Sequence, residues 1–360
     1  MSRKTAQFKN SAKLGAGILK SMALRKRMPL MVSFHVTNRC NMRCPYCYAN
    51  YDERFENPPP DFTTEECLDI IDDFYRLGMR WLTILGGEPL LRNDIGVIVR
   101  HAKSKGVLVE IVTNGYFVKK RLDDILPVDF VCLSVEGDEE QHDRARNTPG
   151  SYRAIIDALE TLKGRGPKLR LHATLLKSTI GGFDHIAELA RKYGAEFGYS
   201  QVIAHDYNRT PDIDFSDDEL RDFWRKLRRS KSRGLPCYNS DFVLDYISNW
   251  PAPYRKILKT EKEFDDYPGF RFLKCMYGNR YCYLDSEGFM YPCIVRGIKN
   301  GPNIREVGVE EAWKKLADEP CASCSYIQHV EVNSLLGLNL KSVIKGAKYI
   351  LLPGGKARSG

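Results

Sequence analysis

The stretch CNMRCPYCY, Cys40 to Tyr48, places three thiols, Cys40, Cys44 and Cys47, at offsets of four and three residues. The chain has 11 cysteines, an odd number with several in clusters, and the scattered lysines and arginines of its N-terminus lead to the expectation that it carries no signal peptide. In a reducing compartment that usage points to metal binding, not to a disulfide framework. A closed zinc site wants four ligands, and no Cys or His follows within 15 residues of Cys47. His35 is nearby but lies along the preceding strand. A four-iron cluster wants one thiolate per iron, so three cysteines on one loop leave one iron open. An open iron can chelate a molecule carrying an amine and a carboxylate, which is the logic of a catalytic metal site.

The elements around the loop must position it. The 360-residue chain is about 43% apolar, enough for one large core or for a core with a small appended domain. MVSFHVT (31–37) is a β-rich run that leads into the cysteines. TTEECLDIIDDFYRLG follows, with a threonine cap, early acids, helical apolar spacing and a closing Gly78. The alternation repeats, with strands expected at 81–87, 107–115, 130–137, 169–176 and 197–203. Helices are expected at about 94–105, 118–126, 151–164 and 183–193. Such alternation implies an α/β fold with a parallel sheet, doubly wound or curled into a barrel. Functional groups of these folds gather at the carboxyl ends of the strands. The cysteine loop, GGEP (86–89), TNG (113–115) and SVEG (134–137) all fall there.

Together these residues resemble the radical S-adenosylmethionine (SAM) superfamily. Cys40-x3-Cys44-x2-Cys47, with Tyr46 just before the last cysteine, is similar to its cluster signature. GGEP is similar to its second-strand element, and LSVEGDEEQHDRAR (133–146) resembles a segment of the subgroup with extra C-terminal clusters. The resemblance implies a partial (β/α)6 TIM-like barrel and a 4Fe-4S cluster with an open iron. It implies that SAM is held by Gly86, Gly87, Glu88, Pro89, Asn114, Ser134 and Arg146. Glu88 would take the amino group, and Ser134 and Arg146 the carboxylate end. Glu136 stands where Asp is usual. Reductive cleavage of SAM would give a 5'-deoxyadenosyl radical that removes a hydrogen atom from substrate, with reduced flavodoxin or ferredoxin as donor.

A second constellation follows. Cys275, Gly288 and Cys293, then Cys321-x2-Cys324, resemble the opening of the SPASM and Twitch auxiliary-cluster domains and match the shorter Twitch type. YLDSEGFMYPC between them reads as a β-hairpin turning at Ser286-Glu287-Gly288. Four cysteines suit a closed second 4Fe-4S cluster or a zinc ribbon. Cys282 and Cys237 are candidate substitute ligands, and Cys67 and Cys132 read as core residues. A closed second cluster favours net oxidation of substrate. Candidate acid-base groups are His172, Tyr199, Gln201 and His205.

The net charge of +9 sits at the ends: residues 1–30 carry eight Lys or Arg and no acid, and residues 332–360 carry five and no acid. NSLLGLNLKSVIKGAKYILL (333–352) has the pattern of an interfacial helix, and the N-terminal segment a similar one interrupted by Gly15 and Gly17. Each is expected either to bind an anionic membrane surface peripherally or to dock on the barrel. Aromatics are not interleaved with these charges, so nucleic acid is not expected. No stretch approaches the roughly 20 apolar residues of a membrane span, and a cytoplasmic location is expected. The expected organisation is a basic segment 1–30, a barrel 31–232, a linker 233–270, a cluster domain 271–330 and a basic tail 331–360. Three functions compete: oxidation or coupling of a lipid or isoprenoid, modification of a peptide or small molecule, and a non-catalytic iron-sulfur carrier. The SAM-binding elements argue against the carrier.

Overall fold

The computed structural model describes residues 2–49, 60–203, 210–296, 301–316 and 321–337. Helix α1 (Arg3–Ala23) comes first, followed by strand β1 (Met31–His35). Then come α2 (Thr64–Leu77), β2 (Trp81–Leu85), α3 (Ile95–Ser104), β3 (Leu108–Thr113), α4 (Leu122–Ile125) and β4 (Phe130–Ser134). Two helices, α5 (Glu139–Ala145) and α6 (Ser151–Leu162), precede β5 (Lys168–Thr174), and α7 (Phe183–Tyr193) precedes β6 (Glu196–Ser200). The six strands pair in parallel in sequence order. One cavity touches side chains from all of them, so the sheet curls around a lumen with its helices outside, as the expected partial barrel requires.

Local chemistry explains the boundaries. Thr63 and Glu66 form a capping box on α2, and Gly78 ends the helix at φ 119°, a left-handed conformation that glycine adopts without penalty. On β5, Leu169, Leu171 and Ala173 pack outward into the core while Arg170, His172 and Thr174 face the lumen. The helix expected at 118–126 shrinks to the four residues of α4. Asn114 accepts from the Tyr116 amide and Gly115 is left-handed, which holds the chain there in a turn.

After α8 (Asp217–Ser232) and α9 (Asp241–Ser248), the expected hairpin is present as β7 (Tyr281–Leu284) and β8 (Met290–Tyr291). The Asp285 carboxylate accepts from the Glu287 and Phe289 amides, and Gly288 takes φ 101°. The hairpin does not stand apart: β7 pairs in parallel with β1, so the sheet runs β6-β5-β4-β3-β2-β1-β7-β8. α10 (Ile304–Val307), α11 (Val309–Lys315) and α12 (Ile327–Leu336) complete the described chain, and α12 packs against β6.

α1 docks on the barrel. Its buried positions Gln7, Asn10, Leu14, Ile18 and Ser21 form one helical stripe, and Leu14 and Ile18 join Met31, Trp81, Leu108 and Phe130 at the amino ends of the strands. Arg3 donates to the Val128 carbonyl and Gln7 to that of Asp129. Gly17 packs closely on Leu30: a Cβ there would come within 2.9 Å of the Leu30 Cδ2 methyl, which would have to shift. The opposite face still exposes Phe8, Leu19 and Met22 among lysines. Beyond Gly337 the expected C-terminal helix lies outside the described residues. Among the described residues no helix is long and apolar enough to cross a membrane.

Candidate active site

The loop carrying Cys40, Cys44 and Cys47 leaves the carboxyl end of β1, and all three thiols line the lumen cavity, whose volume is about 650 Å³. The GGEP segment leaving β2 is pressed against this loop. Gly87 donates its amide to Thr37 O at 2.8 Å and Glu88 donates to Arg39 O at 2.8 Å. A Cβ on Gly87 would meet Arg39 O at 2.3 Å, and one on Gly86 would meet Thr37 O at 2.8 Å. The paired glycines are therefore a steric requirement of two backbones in contact. Gly87→Ala is expected to displace the cysteine loop and to lower iron loading at the first site, with far-ultraviolet circular dichroism unchanged. Full loading of the variant would show that the loop tolerates the shift.

Glu88 is 1% exposed and accepts hydrogen bonds from Leu90 N, Asn114 N and Thr113 Oγ1. Burial pushes its carboxyl up to about 7 against the pull of these donors. Asn114 also donates to Asn41 in the cysteine loop, tying the end of β3 to the end of β1. Gly86, Gly87, Asn114, Ser134 and Arg146 all line the cavity, whereas Pro89 is buried in the turn after β2.

Arg146, at the end of α5, points its guanidinium at the cysteine loop, with Nη1 3.8 Å from Cys44 Sγ. Glu136 holds it there: the carboxylate is fully buried, 2.5 Å from Arg146 Nη2, and also accepts from Tyr46 Oη at 2.9 Å and Thr174 N at 2.7 Å. The glutamate that departs from the usual aspartate is thus a strut joining β4, β5 and the cysteine loop. Burial raises all three loop thiols, Cys40 to about 11 and Cys47 to about 12, while Arg146 pulls against the rise at Cys44. A metal must therefore displace protons as it binds.

Lower in the lumen, Arg170 pairs with Glu110 at 2.6 Å and lies over the Phe130 ring, which stacks on Trp81. His172 lines the cavity. Its Nδ1 is 2.5 Å from Tyr238 Oη, and its Nε2 meets Ser200 Oγ at 2.9 Å and Gln328 at 3.0 Å. Burial, with Arg146 and Arg170 nearby, lowers its pKa to about 4 and leaves it neutral near pH 7. Gln201 also lines the cavity and bridges to Ser325 O and Ile327 N. Tyr199 does not: its ring stacks on Phe183 and packs on Phe223 in the outer core, because strand alternation turns it away from the lumen. His205 lies outside the described residues.

Cys275, Cys293, Cys321 and Cys324 converge on a second, small cavity beside β8 and α12. A hydrogen bond with Cys275, then burial, raises the Cys321 thiol, and Cys293 and Cys324 add to the rise. Among the described residues no three or more His, Cys, Asp or Glu side chains group as a single metal ion would need. Cys282 and Cys237 are buried in the main core and do not line this cavity, so neither is a substitute ligand there. Cys67 is a core residue as expected, but Cys132 faces the lumen between β3 and β5. No local pattern marks Tyr238, Gln328 or His329, whose placement comes from contacts across 36 to 156 residues.

The sequence model of the Radical SAM superfamily matches residues 34–190. Fe-coproporphyrin III synthase of Methanosarcina barkeri is 27% identical over 332 residues, covering 86% of this chain and 79% of that protein. Mycofactocin maturase MftC of Mycobacterium ulcerans is 30% identical over 324 residues, covering 83% of this chain and 80% of that protein. Streptococcus suis SuiB has a similar fold. Bound to S-adenosylmethionine it has a TM-score of 0.61 at 16% identity, covering 84% of this chain and 69% of that one. Bound to the precursor peptide SuiA its TM-score is 0.60 at 16% identity, covering 83% and 67%.

Proposed function

The chain belongs to the radical SAM superfamily, an enzyme family whose fold implies a 4Fe-4S cluster and SAM, and from that premise we propose that it oxidises or couples an apolar chain of a lipid or isoprenoid. The cavity carries this reading. It begins at the three cysteines and reaches Phe8 on α1, a residue 49% exposed, and its far half includes Leu14, Ile18, Met31, Trp81 and Phe130. Exposed Leu19 and Met22, with Lys9, Lys13 and Lys20 on the same helix, would set that end of the cavity against an anionic membrane surface.

The residues present fit the expected groups. Cys40, Cys44 and Cys47 would supply three thiolates and leave an iron open, while Asn114, Ser134 and Arg146 offer polar groups and a cation on the same cavity, and the buried Glu88 carboxylate is bonded to Asn114 N of that wall. Cys275, Cys293, Cys321 and Cys324 would hold the second cluster. When bound, these groups supply hydrogen-atom abstraction and a one-electron acceptor. The chain's own residues do the rest. Glu88 would orient an ammonium and Arg146 would neutralise a carboxylate beside Cys44. Neutral His172, held through Nε2 by Ser200 and Gln328, would be a polar contact for substrate in the lumen. A reduced flavodoxin or ferredoxin is the proposed electron donor.

The likeness to a maturase and to a protein solved with a precursor peptide supports a second reading, modification of a peptide. One experiment separates the two. Anaerobically reconstituted protein is expected to hold about eight irons per chain, as two cubane clusters require. Its formation of 5'-deoxyadenosine under dithionite should rise several-fold with total membrane lipid extract. A rate indifferent to lipid would favour the peptide reading, and about four irons with bound zinc would remove the second cluster.

A further inference from the structure

One buried histidine is left unused by the chemistry above. His329 on α12 is 1% exposed, and its ring lies 4.1 Å from that of Tyr277 and 4.7 Å from that of Tyr326, centroid to centroid. Its Nδ1 is 3.7 Å from Cys293 Sγ, and its Nε2 is 3.4 Å from the Tyr283 hydroxyl. It lines the same small cavity as the four cysteines.

We propose that His329 sets the reduction potential of the four-cysteine centre by donating a hydrogen bond from Nδ1 to the Cys293 sulfur, with Tyr283 fixing the tautomer that makes this possible. The inference rests on the reading that these cysteines hold an iron-sulfur cluster. A sulfur that ligates iron is a thiolate, which accepts and cannot donate. A neutral imidazole has one N–H, and a lone pair facing the thiolate would be repelled, so the proton belongs on Nδ1. Nε2 is then an acceptor, and the Tyr283 hydroxyl is the donor that meets it, the arrangement by which outer partners orient residues around metal centres.

Tyr283 is well placed for that task. It lies in β7 opposite Ser33 of β1, and its ring stacks on Tyr291 of β8 at 5.6 Å and 6°. The histidine is therefore referenced to the same sheet that carries the first cysteine loop. The ring of His35, on β1, lies 6.5 Å from Tyr283 and 5.9 Å from Tyr48, which directly follows Cys47. A hydrogen bond to a ligating sulfur stabilises the more negative, reduced state of a cluster and raises its potential. The consequence here is a better acceptor for the electron lost by the substrate.

The test uses full-length protein carrying Cys40→Ala, Cys44→Ala and Cys47→Ala, which isolates the second centre, with a potentiometric titration followed by electron paramagnetic resonance. His329→Phe is expected to leave iron at about four per chain and to disfavour reduction about tenfold, a shift of about 59 mV to more negative potential for one electron. Tyr283→Phe, which does not touch the sulfur, should shift it less in the same direction, and His329→Gln, which keeps a donor, should recover part of the change. An unchanged potential at full iron in His329→Phe overturns the proposal. So does loss of iron in His329→Phe alone, which would make the histidine a ligand or a packing residue. A triple variant without iron would instead fail the cluster reading itself, and the inference with it.

Discussion

Glu136→Ala is expected to lower the thermal midpoint of the protein by roughly 10 °C and to abolish SAM cleavage. The carboxylate is fully buried and paired with an Arg146 that is itself 12% exposed at the side chain. Removing one partner of a buried ion pair leaves an uncompensated charge and costs about 3–5 kcal/mol. Two further donors lose their acceptor, Tyr46 Oη and Thr174 N. An arginine guanidinium does not deprotonate in proteins, so Arg146 cannot escape the penalty by losing its proton. The functional loss follows from the same geometry, because Glu136 holds Arg146 beside Cys44 Sγ. Glu136→Gln keeps the shape and one acceptor oxygen and should fall between alanine and the parent in both measurements. Differential scanning calorimetry together with 5'-deoxyadenosine formation decides the matter. A midpoint within a degree or two of the parent would mean that Arg146 finds another partner, and the strut would lose its role.

Glu136 also marks the limit of what could be read without a structure. The cysteine loop, GGEP and the six parallel strands were legible because each is local: spacing, alternation and glycine-closed helices lie within a dozen residues of one another. The same locality explains the errors. Tyr199 and Cys132 each sit on a readable strand, but which face looks into the lumen depends on how the sheet curls, and the outward face of Tyr199 and the inward face of Cys132 emerge only then. The α1 segment has the spacing of an interfacial helix and also of a docking helix, and its buried stripe with exposed Phe8, Leu19 and Met22 satisfies both patterns. The pairing of β7 with β1, which brings Tyr283 and His329 to the four cysteines, joins residues some 250 positions apart in the chain and leaves no trace in local pattern.

The affinity of the reconstituted protein for SAM is expected to fall about tenfold between pH 8 and pH 6, and the reason lies in Glu88. An ammonium group binds the carboxylate and not the carboxylic acid. With the folded group raised to about 7, the ionised fraction falls from about ten in eleven at pH 8 to about one in eleven at pH 6. The sign follows from the direction of the shift: burial raises this acid, so the form competent to bind is lost as pH falls through about 7, in a window where an unperturbed glutamate would stay fully charged. Linkage gives a second readout. Binding at pH 6 must release most of one proton, and binding at pH 8 almost none, which titration calorimetry in buffers of different ionisation enthalpy measures directly. Glu88→Gln should flatten the profile, with affinity at pH 8 near the parent's value at pH 6, because the amide still accepts from the chain but offers no charge. A parent profile already flat from pH 8 to pH 6 would mean that Leu90 N, Asn114 N and Thr113 Oγ1 hold the carboxylate ionised against its burial. That result would leave Glu88 as a structural tie between the ends of β2 and β3.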